Sequence, residues 1–252
     1  MALFESGNPT LTQKIFSKSV DDSSLETMTV RGTINKFGFM MFMVIGGAAY
    51  TWRLFYQGAP DTMNIFMMVG IFGGLICAIA ITFKPTWAPY LAPAYGLLEG
   101  FFLGGISAIM NQAFATKYPG LVMQAVGLTF GVAIAMFLLY NFKIIKATEK
   151  FKSVIISATM GIFVFYLISM VVRMFGVDMP FMYDSSALGI GISLFVIAIA
   201  ALNLILDFDM IERGAAQGAP KFMEWYGAFG LLVTIVWLYI EILKLLSRLG
   251  RK

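Results

Sequence analysis

From Thr62 to Phe83 the chain carries no charged residue, and runs of this kind recur along its length. About 20 mainly apolar residues are needed for a helix to cross a hydrocarbon layer. Inside such a layer only helices and closed barrels satisfy every backbone polar group. Seven stretches qualify as spanning helices: 37–52, 62–83, 92–114, 118–142, 153–172, 185–206 and about 225–246. Charged residues make up 13% of the 252 residues, and 59% are hydrophobic. A soluble domain carries about 25% charge, so lipid must be the solvent and the fold class is all-α, a polytopic membrane helix bundle. The first stretch is short, with Lys36 and Arg53 placed to snorkel from its ends. Pro60, Pro85, Pro89, Pro93, Pro119, Pro180 and Pro220 are expected in or beside the joints, where proline costs least.

Residues 1–36 are polar and form a cytosolic N-terminal extension, with the bundle over 37–248 and a basic tail at 249–252. The apolar run starts too late for a secretory signal. Lys and Arg favour the inner side. With the N-terminus inside, eleven of the eighteen fall in inner segments and three, Arg53, Lys117 and Arg173, in outer loops. The other four, Lys244, Arg248, Arg251 and Lys252, lie at the C-terminus, which seven full crossings would put outside. A re-entrant last helix would put it inside, and both topologies stay open.

The composition also excludes chemistry. The chain has no histidine, which removes the usual zinc ligands, the commonest catalytic base and the ordinary physiological pH switch. The single cysteine, Cys77, permits no internal disulfide. Tyr183-Asp184 resembles half of an intramembrane aspartyl protease motif, but no GxGD follows. No enzyme activity and no cofactor are expected. A net charge of +4 needs no nucleic acid to explain it.

What remains is a set of acids in apolar surroundings. Asn203 and Asp207 are four apart and share a helix face. Glu241 follows a full crossing of apolar residues, with Thr234 and Trp237 on its face and Lys244 one turn on. An ionised carboxylate in hydrocarbon costs roughly 2.5–3.5 kcal/mol on insertion scales. Asp207 and Glu241 are therefore expected to form the two halves of one intramembrane acidic site. The bland alternatives are a solvated Asp207 at the headgroups and a Glu241–Lys244 pair at the far interface. Were the last helix to begin at Trp225, Glu241 would lie roughly 24 Å along it, at 1.5 Å per residue. A meeting with Asp207 then needs a late start around Gly227–Gly230, with GAPKFMEWYGAFG as a long re-entering loop. Glu99 is a third acid, lining the path or facing the interface, and Lys84 could pair with any of them. Gly70, Gly74 and Ala78, and Gly96, Gly100, Gly104 and Ala108, form small-residue stripes that let helices approach closely.

Three short motifs resemble the Bax inhibitor-1 family, the transmembrane Bax inhibitor motif proteins, in a bacterial branch. They are Leu206-Asp207-Phe208-Asp209-Met210-Ile211, Leu238-Tyr239-Ile240-Glu241 and Glu99-Gly100-Phe101-Phe102-Leu103-Gly104, within a likeness over about 36–248. The resemblance implies a seven-helix bundle with helix 7 central, in a bacterial inner membrane with the N-terminus cytoplasmic. It also implies a pH-sensitive calcium leak in which paired carboxylates share a proton and an arginine on helix 2 latches them. Here Glu241 stands for an aspartate, and only Lys84 could serve as latch, without arginine's bidentate fork. The ligand the resemblance implies is therefore transient Ca²⁺ at Asp207 and Glu241, supported by Asn203, Glu99 and Lys84. Ca²⁺ or H⁺ is the permeant or gating ion. The rival reading is a non-transporting regulator bound to another membrane protein, such as a membrane protease.

Overall fold

The computed structural model describes residues 26–176 and 185–251. Seven helices carry the chain: α1 (Val30–Tyr56), α2 (Pro60–Phe83), α3 (Ala88–Ala113), α4 (Leu121–Asn141), α5 (Glu149–Met174), α6 (Ala187–Ala216) and α7 (Met223–Leu249). All seven are long and apolar enough to cross a membrane, and no strand occurs among the described residues. The expected bundle is thus the observed one. Of the most apolar window of α7, 72% is buried, against 17–50% in the other six, so the last helix is the most enclosed.

Local chemistry sets the helix ends. Thr29 caps α1 by accepting from the Gly32 N–H, and Thr148 caps α5 by accepting from the Phe151 N–H. Pro60 sits at the start of α2, where its missing N–H costs nothing. Several helices run past their apolar stretches. The first begins at Val30 rather than Phe37, and α6 continues from Leu206 to Ala216. One proline departs from expectation: Pro93 lies inside α3 and not in a joint. Neighbouring helices in lipid re-satisfy the carbonyl such a proline frees.

The long loop expected before the last helix is absent. Gly218, at φ +71°, ends α6. The Gly218 N–H bonds the Ala215 carbonyl and the Ala219 N–H bonds the Gly214 carbonyl, a Schellman arrangement. Helix α7 then starts at Met223, and Gly227 lies within it. A Cβ on Gly227 would stand 3.2 Å from Ile211 Cγ1 and 3.3 Å from Thr33 Cγ2. That glycine serves close packing, not a bend. The late start that would have brought Glu241 to Asp207 is therefore not available.

The helices group into two compact units. Among described residues, one holds 26–113 with 209–233, and the other holds 114–208 with 234–251. The first is knit by glycine. A Cβ on Gly100 would come 2.4 Å from the Val44 carbonyl oxygen, and one on Gly104 2.2 Å from that of Ala48. A Cβ on Gly70 would come 2.5 Å from the Leu98 carbonyl oxygen. So α3 lies backbone to backbone against α1 and α2, and the predicted stripes are spent on internal packing. The second unit has an aliphatic core of Ile155, Ile162, Val196, Ile199 and Leu206.

Candidate functional site

The acids of interest belong to the second unit. Asp207 is fully buried on α6, and its Oδ2 accepts from Thr234 Oγ1 on α7 at 2.5 Å. Glu241 is also buried. Its Oε1 accepts from Lys244 Nζ at 2.8 Å, and both oxygens lie 3.2–3.3 Å from the Tyr166 hydroxyl of α5. The Lys244 ammonium stands 5.0 Å from the centre of the Tyr166 ring. One turn before Asp207, Asn203 donates through Nδ2 to Thr159 Oγ1 at 2.9 Å and to the Ile199 carbonyl at 2.8 Å. Its Oδ1 is buried without a partner.

The register of α6 against α7 follows from these bonds. Thr234 meets Asp207, and near the other end Arg248 donates to the Gly189 carbonyl and to Ser193 Oγ, the latter at 2.7 Å. The Ser185 hydroxyl donates to the Arg248 carbonyl at 2.8 Å. The helices run antiparallel, so Glu241 lies at the level of α6 residues 196–200 and not of Asp207. Seven residues separate Thr234 from Glu241, about 10 Å of helix. The expected contact between two carboxylates is corrected: they stand in series along α7, each with its own partners. The Glu241–Lys244 pair weighed as the bland alternative does form.

The other candidates lie in the first unit. Glu99 is partly exposed on α3 and interacts with Tyr95, one turn back. Lys84 is exposed just past α2, with its ammonium 4.5 Å from the centre of the Trp87 ring, so the structure shows it stacked and not latching an acid. Asp209 accepts from Arg213 Nε at 2.8 Å. Among the described residues no group of three or more Cys, Asp or Glu side chains could hold a metal ion. Tyr183, Asp184 and Pro180 lie outside the described residues, as do the first 25 of the extension.

Sequence reasoning missed three buried charged residues: Glu224, Arg248 and Lys152, whose ammonium pairs with Glu149 at 3.0 Å. Glu224, in the first turn of α7, is fully enclosed. Its Oε1 accepts from the Thr29 N–H and the Thr29 hydroxyl, both at 2.9 Å, and lies 3.3 Å from Lys221 Nζ. Its Oε2 pairs with Lys36, whose ammonium also faces the Trp225 ring at 5.5 Å. Lys36 therefore turns inward instead of snorkelling. The backbone joins the same clasp: the Met28 N–H bonds the Ala219 carbonyl, and the Lys221 N–H bonds that of Glu26. Arg248, counted with the basic C-terminus, is nearly buried against α6. Lys221, three residues before Glu224 and just ahead of α7, was the one local signal; the partners at Thr29 and Lys36 are 195 and 188 residues away.

Fold and site together define an integral membrane protein of seven helices in which Asp207 and Glu241 are enclosed separately, each with partners of its own. The sequence profile of the Bax inhibitor 1 like family matches residues 8–251, nearly the whole chain, and the chain belongs to that family. No curated protein and no solved structure matches it.

Proposed function

We propose that this protein is a slow, proton-gated leak for calcium or a similar cation, with Asp207 and Glu241 as its two ionisable stops. The observation that carries the reading is Asp207: a carboxylate with no solvent exposure, on a spanning helix, held by a hydroxyl that can either donate or accept. Intramembrane ionisable residues of this kind mark ion or proton paths more often than they serve structure. With a proton on Asp207 the site is neutral and offers a cation nothing. Without it, the carboxylate, Thr234 Oγ1 and the open Asn203 Oδ1 form an oxygen-rich stop. Calcium requires six to eight oxygens. Three protein groups with water fall short of a storage site, which suits passage. The basic inner segments favour a cytoplasmic N-terminus in an inner membrane of bacterial type.

Purified protein in calcium-loaded liposomes tests this. Efflux should rise as pH increases and carboxylates ionise, and Asp207→Asn should flatten that rise. Equal efflux from Asp207→Asn and unaltered protein at every pH would remove Asp207 from the mechanism.

The second reading, a non-transporting regulator docked on another membrane protein such as a membrane protease, loses the stripes on α2 and α3, which pack internally. It keeps one observation: Gly127 and Gly131 on α4 are exposed, with nothing within 4 Å of their would-be Cβ atoms. Silence in pure liposomes together with one stoichiometric membrane partner would select it.

A further inference from the structure

We propose that the Lys244 ammonium is a tethered counter-cation that holds Glu241 in place of a mobile divalent cation, so that Glu241 takes such a cation only when Lys244 swings away. The inference rests on the reading of Glu241 as a cation stop, and it names what controls access to that stop.

The geometry is asymmetric. The Glu241 side chain is 3% exposed, whereas that of Lys244 is 43% exposed. The carboxylate is thus fixed inside the unit, and the ammonium reaches back to it from a more exposed position one turn later on the same helix. The remaining contact of Glu241 is the Tyr166 hydroxyl, at the long end of hydrogen-bond range. Lys244 makes one ion pair at 2.8 Å and lies over the Tyr166 ring. Both contacts of the ammonium converge on one spot, at the mouth of the carboxylate.

The residue type matters. Lysine is a strongly hydrated point charge on a flexible four-carbon stem, whereas arginine would grip a carboxylate with a planar two-pronged fork. A partly exposed lysine can detach and be rehydrated at little cost. While attached it competes as an intramolecular ligand, and short tethers give effective concentrations in the millimolar range. A divalent cation brings twice the charge and prefers oxygen donors, which Glu241 and Tyr166 present once the ammonium leaves. The buried carboxylate needs a positive partner in either state, so the exchange of ammonium for metal keeps it neutralised throughout.

The test uses the full chain in detergent with terbium(III) as probe. Terbium is an oxygen-seeking stand-in for calcium whose emission is sensitised by a nearby tyrosine ring. Lys244→Met should tighten terbium binding at least about tenfold, since the competing tethered charge is gone. Lys244→Gln should do the same, and Lys244→Arg should match or weaken the unaltered protein. Adding Glu241→Gln to Lys244→Met should abolish the gain, and adding Tyr166→Phe should dim the emission. Lys244→Met and Lys244→Gln, both folded by thermal midpoint and both binding as the unaltered protein does, would overturn the proposal. So would a gain that survives Glu241→Gln. Calcium efflux from liposomes separates the two ideas. A binding gain with no efflux from any variant sinks the leak and leaves the counter-cation. Efflux that depends on Asp207 but is untouched by Lys244 in both assays does the reverse.

Discussion

The two units solve the problem of joining helices in lipid by opposite means. In the first, α3 meets α1 and α2 through glycines, with backbone against backbone. In the second, α5, α6 and α7 meet through polar side chains: Thr159 with Asn203, Thr234 with Asp207, and Tyr166 and Lys244 with Glu241. Lipid supplies no hydrophobic force between helices, so association depends on close packing or on interhelical hydrogen bonds. Close packing leaves no room for change. Polar contacts can exchange partners, protons and ions, and the buried acids read here as functional lie in the unit that uses them. The first unit places its own enclosed acid, Glu224, between two lysines and Thr29, a fixed clasp.

The contrast is broken most severely in the glycine-packed unit. Gly104→Leu drives side-chain atoms into the Ala48 carbonyl and should cost about 4 kcal/mol or more. It should appear as loss of monodisperse protein, while Gly131→Leu on the open face of α4 purifies normally. Glu224→Gln strands Lys36 and should cost about 3 kcal/mol, read as a lowered thermal midpoint with faster amide exchange over residues 27–36. In the polar unit the effects are smaller. Thr234→Val removes the donor to Asp207 and should cost about 2 kcal/mol. Thr159→Val should cost about 1 kcal/mol alone and almost nothing when combined with Asn203→Leu. Removing both partners also removes the unpartnered Asn203 Oδ1. A double variant that costs as much as the Thr159→Val and Asn203→Leu single variants added together would show that the Thr159–Asn203 bond contributes nothing.

Seven spans and the membrane class were legible because the apolar runs leave no soluble alternative. The stripes at Gly70, Gly100 and Gly104 were legible as contacts, because small residues at every fourth position have few other uses in a helix. Which acid meets which group was not legible. The pairing depends on the register of α6 against α7, which is set by the six residues of their joint and by the turn at Gly218. Gly227 misled because a glycine admits both a bend and a close contact, and sequence alone does not distinguish them. Pro93 misled likewise, since only the packed bundle shows what surrounds the carbonyl it frees. Glu224 was overlooked because an acid in a first helical turn is ordinary dipole chemistry until Thr29 and Lys36 are found against it.

The central claim is that Asp207 and Glu241 act as two stops in series and not as one proton-sharing pair. Calcium efflux from liposomes at alkaline pH, measured for Asp207→Asn, Glu241→Gln and the double variant, tests it most directly. Independent stops predict that the logarithmic losses of the two single variants add in the double. Single variants that each fall as far as the double, or no efflux from the unaltered protein, would contradict it.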